Sequence, residues 1–174
     1  MKYNILLLLS LLLIGCAEQS ARRPVFKSSG SFMKESIERN KLLAKEEEAI
    51  IENIIKNDSL TEYIASANGY WYTYISKNAT ETLFPKKGDV IYFTQTVNDI
   101  NGNLIYEESN QEYNVDQEVV TIGLRSGLKL LKNNEKVRFL FPSQLAFGYR
   151  GDQNKVGMNT PLEYIIKVEK IDRK

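Results

Sequence analysis

VVTIGLRSGLKLLKNNEKVRFLFP, residues 119–142, changes its hydrophobic spacing partway along, and this change indicates which fold class to expect. The first part predicts a short helix despite two glycines, because its apolar residues recur three or four positions apart. These residues are Val120, Leu124, Leu128 and Leu131. Residues 135–141 instead alternate as a half-buried strand does. The stretch therefore predicts one short helix that packs against a sheet.

Strand patterns surround this stretch. Residues 70–75 and 89–97 are rich in aromatic and β-branched side chains, and residues 162–171 alternate. Asn101-Gly102 is a strong signal for a tight turn, after which residues 104–107 return as a strand. About five antiparallel strands wrapped around one short helix predict an α+β fold.

Five ordered motifs carry a resemblance to a known family. They are Pro85-x-x-Gly88-Asp89, Asp99-x-Asn101-Gly102, Val120-x-x-Gly123-Leu124-x-x-Gly127-Leu128, Phe141-Pro142-x-x-x-Ala146-Phe147-Gly148 and Asn159-Thr160-Pro161-Leu162. Over about residues 70–171 the chain resembles the FKBP-type peptidyl-prolyl cis-trans isomerases. The resemblance implies an FKBP-like fold, proline-containing polypeptides as substrates and no cofactor.

The resemblance also implies a proline pocket. It carries catalytic roles onto Phe93, Phe147 and Tyr164. It carries substrate binding onto residues of the third strand, the helix entrance and the pocket floor: Ile105 or Tyr106, Tyr113, Val120, Thr121 and Leu124. For each aromatic residue, and for Leu124, ordinary core packing is the alternative interpretation.

Four departures from the family pattern bear on activity. The family usually has tyrosine at Phe93 and at Phe147, and tryptophan at Leu124. An aspartate usually follows the aromatic residue of the third strand, where this chain offers Tyr106 or Glu107. Each directed hydrogen bond that is lost removes about 0.5–1.5 kcal/mol. The resemblance therefore allows weak as well as strong catalysis, under a mobile flap at residues 149–158.

The side-chain inventory excludes several classes of enzyme. Among 174 residues there is no histidine and one cysteine, which rules out Ser-His-Asp and Cys-His nucleophiles and histidine-containing zinc sites. No acidic cluster has metal-loop spacing, so no metal is expected. With 23 basic and 22 acidic residues the chain lacks the basic excess that nucleic acids require. The missing side chains do not exclude prolyl isomerisation, because this reaction needs no nucleophile.

The N-terminus has the pattern of a lipoprotein signal peptide, residues 1–15. Met1-Lys2 precedes an apolar run over residues 5–14 that is too short to span a bilayer comfortably. Leu13-Ile14-Gly15-Cys16 fits the bacterial lipobox, which predicts acylation of Cys16, with palmitate among the chains, and attachment to a membrane facing the periplasm. The lack of an aspartate after Cys16 favours the outer membrane. A buried core helix is the alternative.

Residues 16–31 carry this cysteine on a polar, aperiodic tether. Residues 32–67 follow as an amphipathic helical segment, with Lys45–Glu48 expected mainly on its solvent side. The helix either packs on its own domain or docks a partner or second copy through residues 33–57. Capping-box spacing at Ser59–Glu62 predicts a second short helix that ends before the domain at residues 69–174.

The chain also resembles the gliding-motility-associated isomerase lipoproteins of Bacteroidetes. The features that carry this resemblance are the lipobox, the glutamate-rich helix and the aromatic strand. This narrower resemblance implies a membrane-anchored isomerase that assists the folding of exported proteins, gliding-motility proteins among them. Two alternatives stay open. One is a catalytically weak binding module of a motility or secretion assembly, and the other is a structural lipoprotein whose helix drives assembly.

Overall fold

A computed structural model describes residues 30–174 of the chain, and residues 36–174 form one compact unit. The elements in chain order are α1 (Gly30–Asn57), β1 (Ile64–Ala65), β2 (Trp71–Ser76), β3 (Val90–Asp99), β4 (Leu104–Asn114), α2 (Ile122–Leu128), β5 (Lys136–Phe141) and β6 (Leu162–Asp172). The predicted signal peptide, the lipidation site Cys16 and the tether through residue 29 lie outside the described residues. No described helix is long and apolar enough to cross a membrane.

The strands form one antiparallel sheet in the spatial order β1-β2-β5-β6-β3-β4. A turn at Asn101-Gly102 joins β3 to β4, and Gly102 has a φ of 85°, which favours glycine. The predicted α+β fold is confirmed. The sheet has one strand more than expected because β1 adds a two-residue edge to β2.

Helix α2 packs directly onto the aromatic side chains of β5. A Cβ atom added at Gly123 would lie 2.6 Å from the ring of Phe141, and one at Gly127 would lie 3.0 Å from the ring of Phe139. These two rings stack at a centroid distance of 5.3 Å. The glycines cost helix propensity, about 1 kcal/mol each relative to alanine, but they allow the helix backbone to approach the sheet. The sheet face that carries α2 is the inner face.

Part of α1 packs on the same compact unit. Ile51 is fully buried, and Glu47 is 3% exposed although the sequence predicted the segment around it to lie mainly in solvent. The carboxylate of Glu47 accepts hydrogen bonds from the Ser143 backbone N–H at 2.7 Å and from the Ser143 hydroxyl at 2.6 Å. A buried carboxylate is tolerated here because buried donors satisfy it. Of the two alternatives for α1, the structure therefore shows packing on its own domain at this turn.

The predicted second helix after Ser59 is wrong. A turn over residues 58–61 is closed by the Thr61 N–H, which donates to the Asp58 carbonyl at 3.2 Å, and the chain then enters β1. The Asp58 side chain accepts hydrogen bonds from the Thr61 hydroxyl at 2.9 Å and the Tyr63 hydroxyl at 3.1 Å, and Leu60 is 98% exposed. A helix is not favoured because its apolar residue finds no surface to pack against.

Replacing Glu47 by alanine tests the contact between α1 and the domain. Glu47→Ala should lower the free energy of unfolding by about 2–4 kcal/mol, because it leaves the buried Ser143 donors without an acceptor. Urea unfolding followed by the fluorescence of Trp71 measures this change. The exposed neighbour is the control: Glu46→Ala should change stability by less than about 0.5 kcal/mol. Equal losses in both variants would contradict the assignment.

Candidate active site

Two adjoining depressions lie on the inner face between β3, β4, β6 and the loop after β5. Their volumes are about 200 and 380 Å³. Both are lined by Gln95 of β3, Gln111 of β4, Phe147 of the loop and Tyr164 of β6. They therefore form one continuous site with a smaller and a larger part.

The smaller depression brings together six of the predicted site residues. They are Phe93, Val120, Thr121, Leu124, Phe147 and Tyr164. Phe93 and Tyr164 are 3% and 2% exposed and come from neighbouring strands, while Leu124 projects from α2 between the two glycines that contact β5. The walls are mainly aromatic and aliphatic. Such a depression suits an apolar ring, because the walls shield a bound ring from water.

The larger depression contains Tyr106 and Glu107. These are the two residues that the sequence analysis offered for the position where the family usually has an aspartate. The Tyr106 hydroxyl donates a hydrogen bond to the carboxylate of Asp152. The Asn154 side-chain amide donates to the same hydroxyl at 3.1 Å. The carboxylate next to the aromatic residue thus comes from the flap rather than from β4.

This contact influences both titrating groups. Burial raises the pKa of Asp152, but hydrogen bonds from the Tyr106 hydroxyl and from the backbone N–H groups of Asn154 and Val156 outweigh burial and lower it. The hydrogen bond to Asp152 is the main cause of the raised pKa of Tyr106. Near neutral pH the pair therefore consists of a carboxylate and a protonated hydroxyl.

The flap itself is internally hydrogen-bonded. The second oxygen of the Asp152 carboxylate accepts from the N–H groups of Asn154 at 2.9 Å and Val156 at 2.8 Å. At its base, the Asn159 N–H donates to the Gly148 carbonyl at 2.9 Å. The sequence predicted a mobile rim, and the structure adds specific contacts that hold this rim against β4.

Two predicted substrate-binding residues do not line either depression. Ile105 packs against the core, and its carbonyl accepts from the Lys155 ammonium at 3.3 Å. Tyr113 is fully buried, and its hydroxyl accepts a hydrogen bond from the Asp116 N–H at 3.0 Å. Tyr113 therefore belongs to the hydrophobic core and not to the lining of either depression.

Sequence reasoning missed six residues that line the site, among them Ser109 and Glu112 on β4. The other four bear on its chemistry. They are Gln95, Val97, Gln111 and Asp152. The strand period of two contained the signal for the first two, since Phe93, Gln95 and Val97 fall on one face of β3. The place of Gln111 in the site follows from the register between β3 and β4, because Gln111 pairs with Phe93. Asp152 had no local signal because it reaches the site only when the flap folds over.

The hydroxyl of Tyr164 supplies a polar group to this apolar site. Burial, followed by the negative charge of Asp152, raises the pKa of Tyr164 well above its usual value, so the hydroxyl stays protonated. Phe147 offers no hydroxyl, so Tyr164 is the phenol shared by both depressions. Within residues 30–174, no three His, Cys, Asp or Glu side chains are grouped as a metal would require.

Removing the Tyr106 hydroxyl tests the flap contact. Tyr106→Phe should speed amide hydrogen exchange over residues 149–158 several-fold, because one hydrogen bond of about 0.5–1.5 kcal/mol is lost. Tyr149→Phe is the control, since Tyr149 is 76% exposed. Because the folded pKa of Asp152 is lowered, the contact should persist at pH 5 and be lost only as the pH falls below the ordinary value of 3.8. Unchanged exchange in Tyr106→Phe would contradict the role of this contact.

Comparison with known proteins identifies a family for this region of the chain. The family model described as FKBP-type peptidyl-prolyl cis-trans isomerase matches residues 81–169. A search of curated protein sequences found no match.

Two solved structures are similar in fold. A peptidyl-prolyl cis-trans isomerase from Pseudomonas syringae pv. tomato is 18% identical with a TM-score of 0.62, over 76% of this chain and 96% of that chain. FkpA from Escherichia coli is 20% identical with a TM-score of 0.60, over 82% of this chain and 63% of that one. The family match extends over about half of the chain and includes the strands, the helix and the loop that build the site. The chain belongs to the FKBP-type peptidyl-prolyl cis-trans isomerases.

Proposed function

We propose that this isomerase is held in the cell envelope by a lipid at Cys16 and speeds the folding of exported polypeptides at their X–Pro bonds. The observation that carries the catalytic part is the smaller depression, a site of about 200 Å³ whose walls are mostly aromatic and aliphatic. The envelope location is supported by the lipobox and the polar tether of the sequence. Proteins of a gliding apparatus are among the clients we expect.

Catalysis here requires stabilising a twisted amide. Rotation about an X–Pro bond crosses a barrier of about 18–20 kcal/mol because twisting removes amide resonance. The twisted amide has less charge separation than the planar one, so an apolar site favours it. We expect the proline ring to lie against Phe93, Leu124 and Phe147.

Tyr164 supplies the polar contribution in this proposal. Tyr164 lines both depressions together with Phe147, the position at which the family usually places the donor to the substrate carbonyl. A donor from β6 instead of the loop would hold that carbonyl while the bond rotates, since a preorganised hydrogen bond costs no reorganisation. The hydroxyl of Tyr164 would thereby compensate for the one that Phe147 lacks.

Replacing Phe147 tests the catalytic assignment. The purified chain should accelerate isomerisation of an Ala-Pro peptide in a protease-coupled assay, and Phe147→Ala should lower kcat/KM by about 10-fold, because apolar contact with the proline ring is lost. Tyr149→Ala, at an exposed position of the flap, should leave kcat/KM within about 2-fold. Absence of acceleration by the unmodified chain would refute isomerase activity as its role.

A catalytically weak binding module is the second candidate. It is favoured by the absence of a hydroxyl at Phe147 and by the small side chain at Leu124. The two candidates differ in cells: if Phe147→Ala abolishes isomerisation but leaves the deletion phenotype fully complemented, the binding role is supported. A structural lipoprotein assembled through residues 33–57 has less support, because Glu47 and Ile51 of that segment face their own domain.

Replacing Cys16 tests the anchor. Cys16→Ser should move the protein from the membrane fraction to the soluble fraction, because three acyl chains bind a bilayer far more firmly than the marginal binding of a single chain. Metabolic labelling with a palmitate analogue should mark the unmodified protein and not the variant. Cysteine is absent elsewhere in the chain, so any label in the variant would contradict acylation at this position.

A further inference from the structure

Gln95 stands at the junction of the two depressions and has no assigned role. It lies on the inner face of β3 between Phe93 and Val97 and lines both depressions. Its side-chain oxygen is buried and accepts no hydrogen bond from the residues that the structure describes. Buried polar atoms are normally paired, so an unpaired one needs an explanation.

A second such atom lies in the same depression. The hydroxyl oxygen of Thr121 is also buried and lacks a hydrogen-bond partner among the described residues. Arg138 Nε is the remaining atom of this kind in residues 30–174, but it lies 3.3 Å from the carboxylate of Glu163, which compensates its charge. Within residues 30–174, the two residues that carry these uncompensated atoms, Gln95 and Thr121, therefore line the same depression.

The chemistry of these atoms indicates what would pair with them. An amide oxygen only accepts hydrogen bonds, and a threonine hydroxyl accepts as well as donates. Phe93, Leu124 and Phe147 line the same depression, and its one charged lining residue, Glu112, is exposed to solvent. A charged ligand at the two buried atoms would therefore lose its hydration without a buried counter-charge, which disfavours it. The matching group is a neutral N–H donor.

A substrate proline cannot supply this donor, since it has no backbone N–H of its own. The residues that flank the proline in the polypeptide do have one. We infer that Gln95, together with Thr121, accepts a hydrogen bond from the backbone N–H of a residue flanking the substrate proline. Gln95 would thus be a specificity-determining residue that positions the peptide while the ring occupies the apolar part of the site. This inference rests on the proposed isomerase activity and adds the substrate group, a backbone N–H, that the site recognises.

Ester-substituted peptides test the inference. In one peptide the N–H before the X–Pro bond is replaced by an ester oxygen, and in the other the N–H after the proline is replaced. NMR exchange measurements then give kcat/KM for cis–trans interconversion of each peptide and of the parent amide. We expect the full chain to prefer the parent over one of the two esters by about 5–10-fold, the value of one hydrogen bond.

Variants of the protein show which residues cause the preference for the parent peptide. Gln95→Met and Thr121→Val should each reduce it to about 2-fold or less, because they remove an acceptor at nearly constant volume. Thr94→Val is the control and should keep the full preference, because Thr94 projects from the other face of β3. The unfolding midpoint of each variant shows whether it is folded. If Gln95→Met is unfolded, Gln95→Leu serves in its place.

The outcomes separate this inference from the isomerase activity. If the chain isomerises the parent peptide but Gln95→Met discriminates as strongly as the unmodified chain, the inference is overturned and the activity stands. If the chain isomerises no peptide, the activity fails, and peptide binding measured by NMR titration decides the inference. A binding preference for the parent that disappears in Gln95→Met supports it, and equal binding of all three peptides overturns it.

Discussion

The close approach of α2 to β5 fixes the position of the short helix and, through it, of the site. Gly123 and Gly127 remove two side chains from the helix face over Phe141 and Phe139, so backbone meets aromatic rings directly. Larger residues would push the helix away from the sheet. With the helix in this place, Leu124 reaches the floor of the smaller depression, and Val120 and Thr121 reach its edge. The apolar site is a consequence of this packing.

A segment distant in the sequence supports the other side of the site. Glu47 accepts two hydrogen bonds from Ser143, which begins the loop that carries Phe147 into both depressions. Because the carboxylate is buried and paired, the loop and α1 depend on one another. The helix before the isomerase motifs is therefore part of the domain at this turn, and only its remaining surface is left for a partner.

The polar groups of the site lie at positions other than those of the family pattern. Phe93 and Phe147 lack hydroxyl groups, while Tyr164 supplies one from β6. A carboxylate arrives from the flap as Asp152, held by Tyr106, and Gln95 adds an amide between the two depressions. The site therefore combines apolar walls with polar groups from β3, β6 and the flap.

Local pattern in the sequence was enough to predict five of the six strands, the short helix and the hairpin turn, since hydrophobic period and turn chemistry act over a few residues. Six of the residues around the smaller depression were instead implied by the resemblance to a family. The family resemblance added the activity. The tertiary structure was needed to show that Glu47 is buried, that a turn and not a helix follows Asp58, and that Tyr113 belongs to the core. It alone brought Asp152 to Tyr106 and left Gln95 unpaired, because these contacts join residues separated by strands and a folded loop, whose distances no local period encodes.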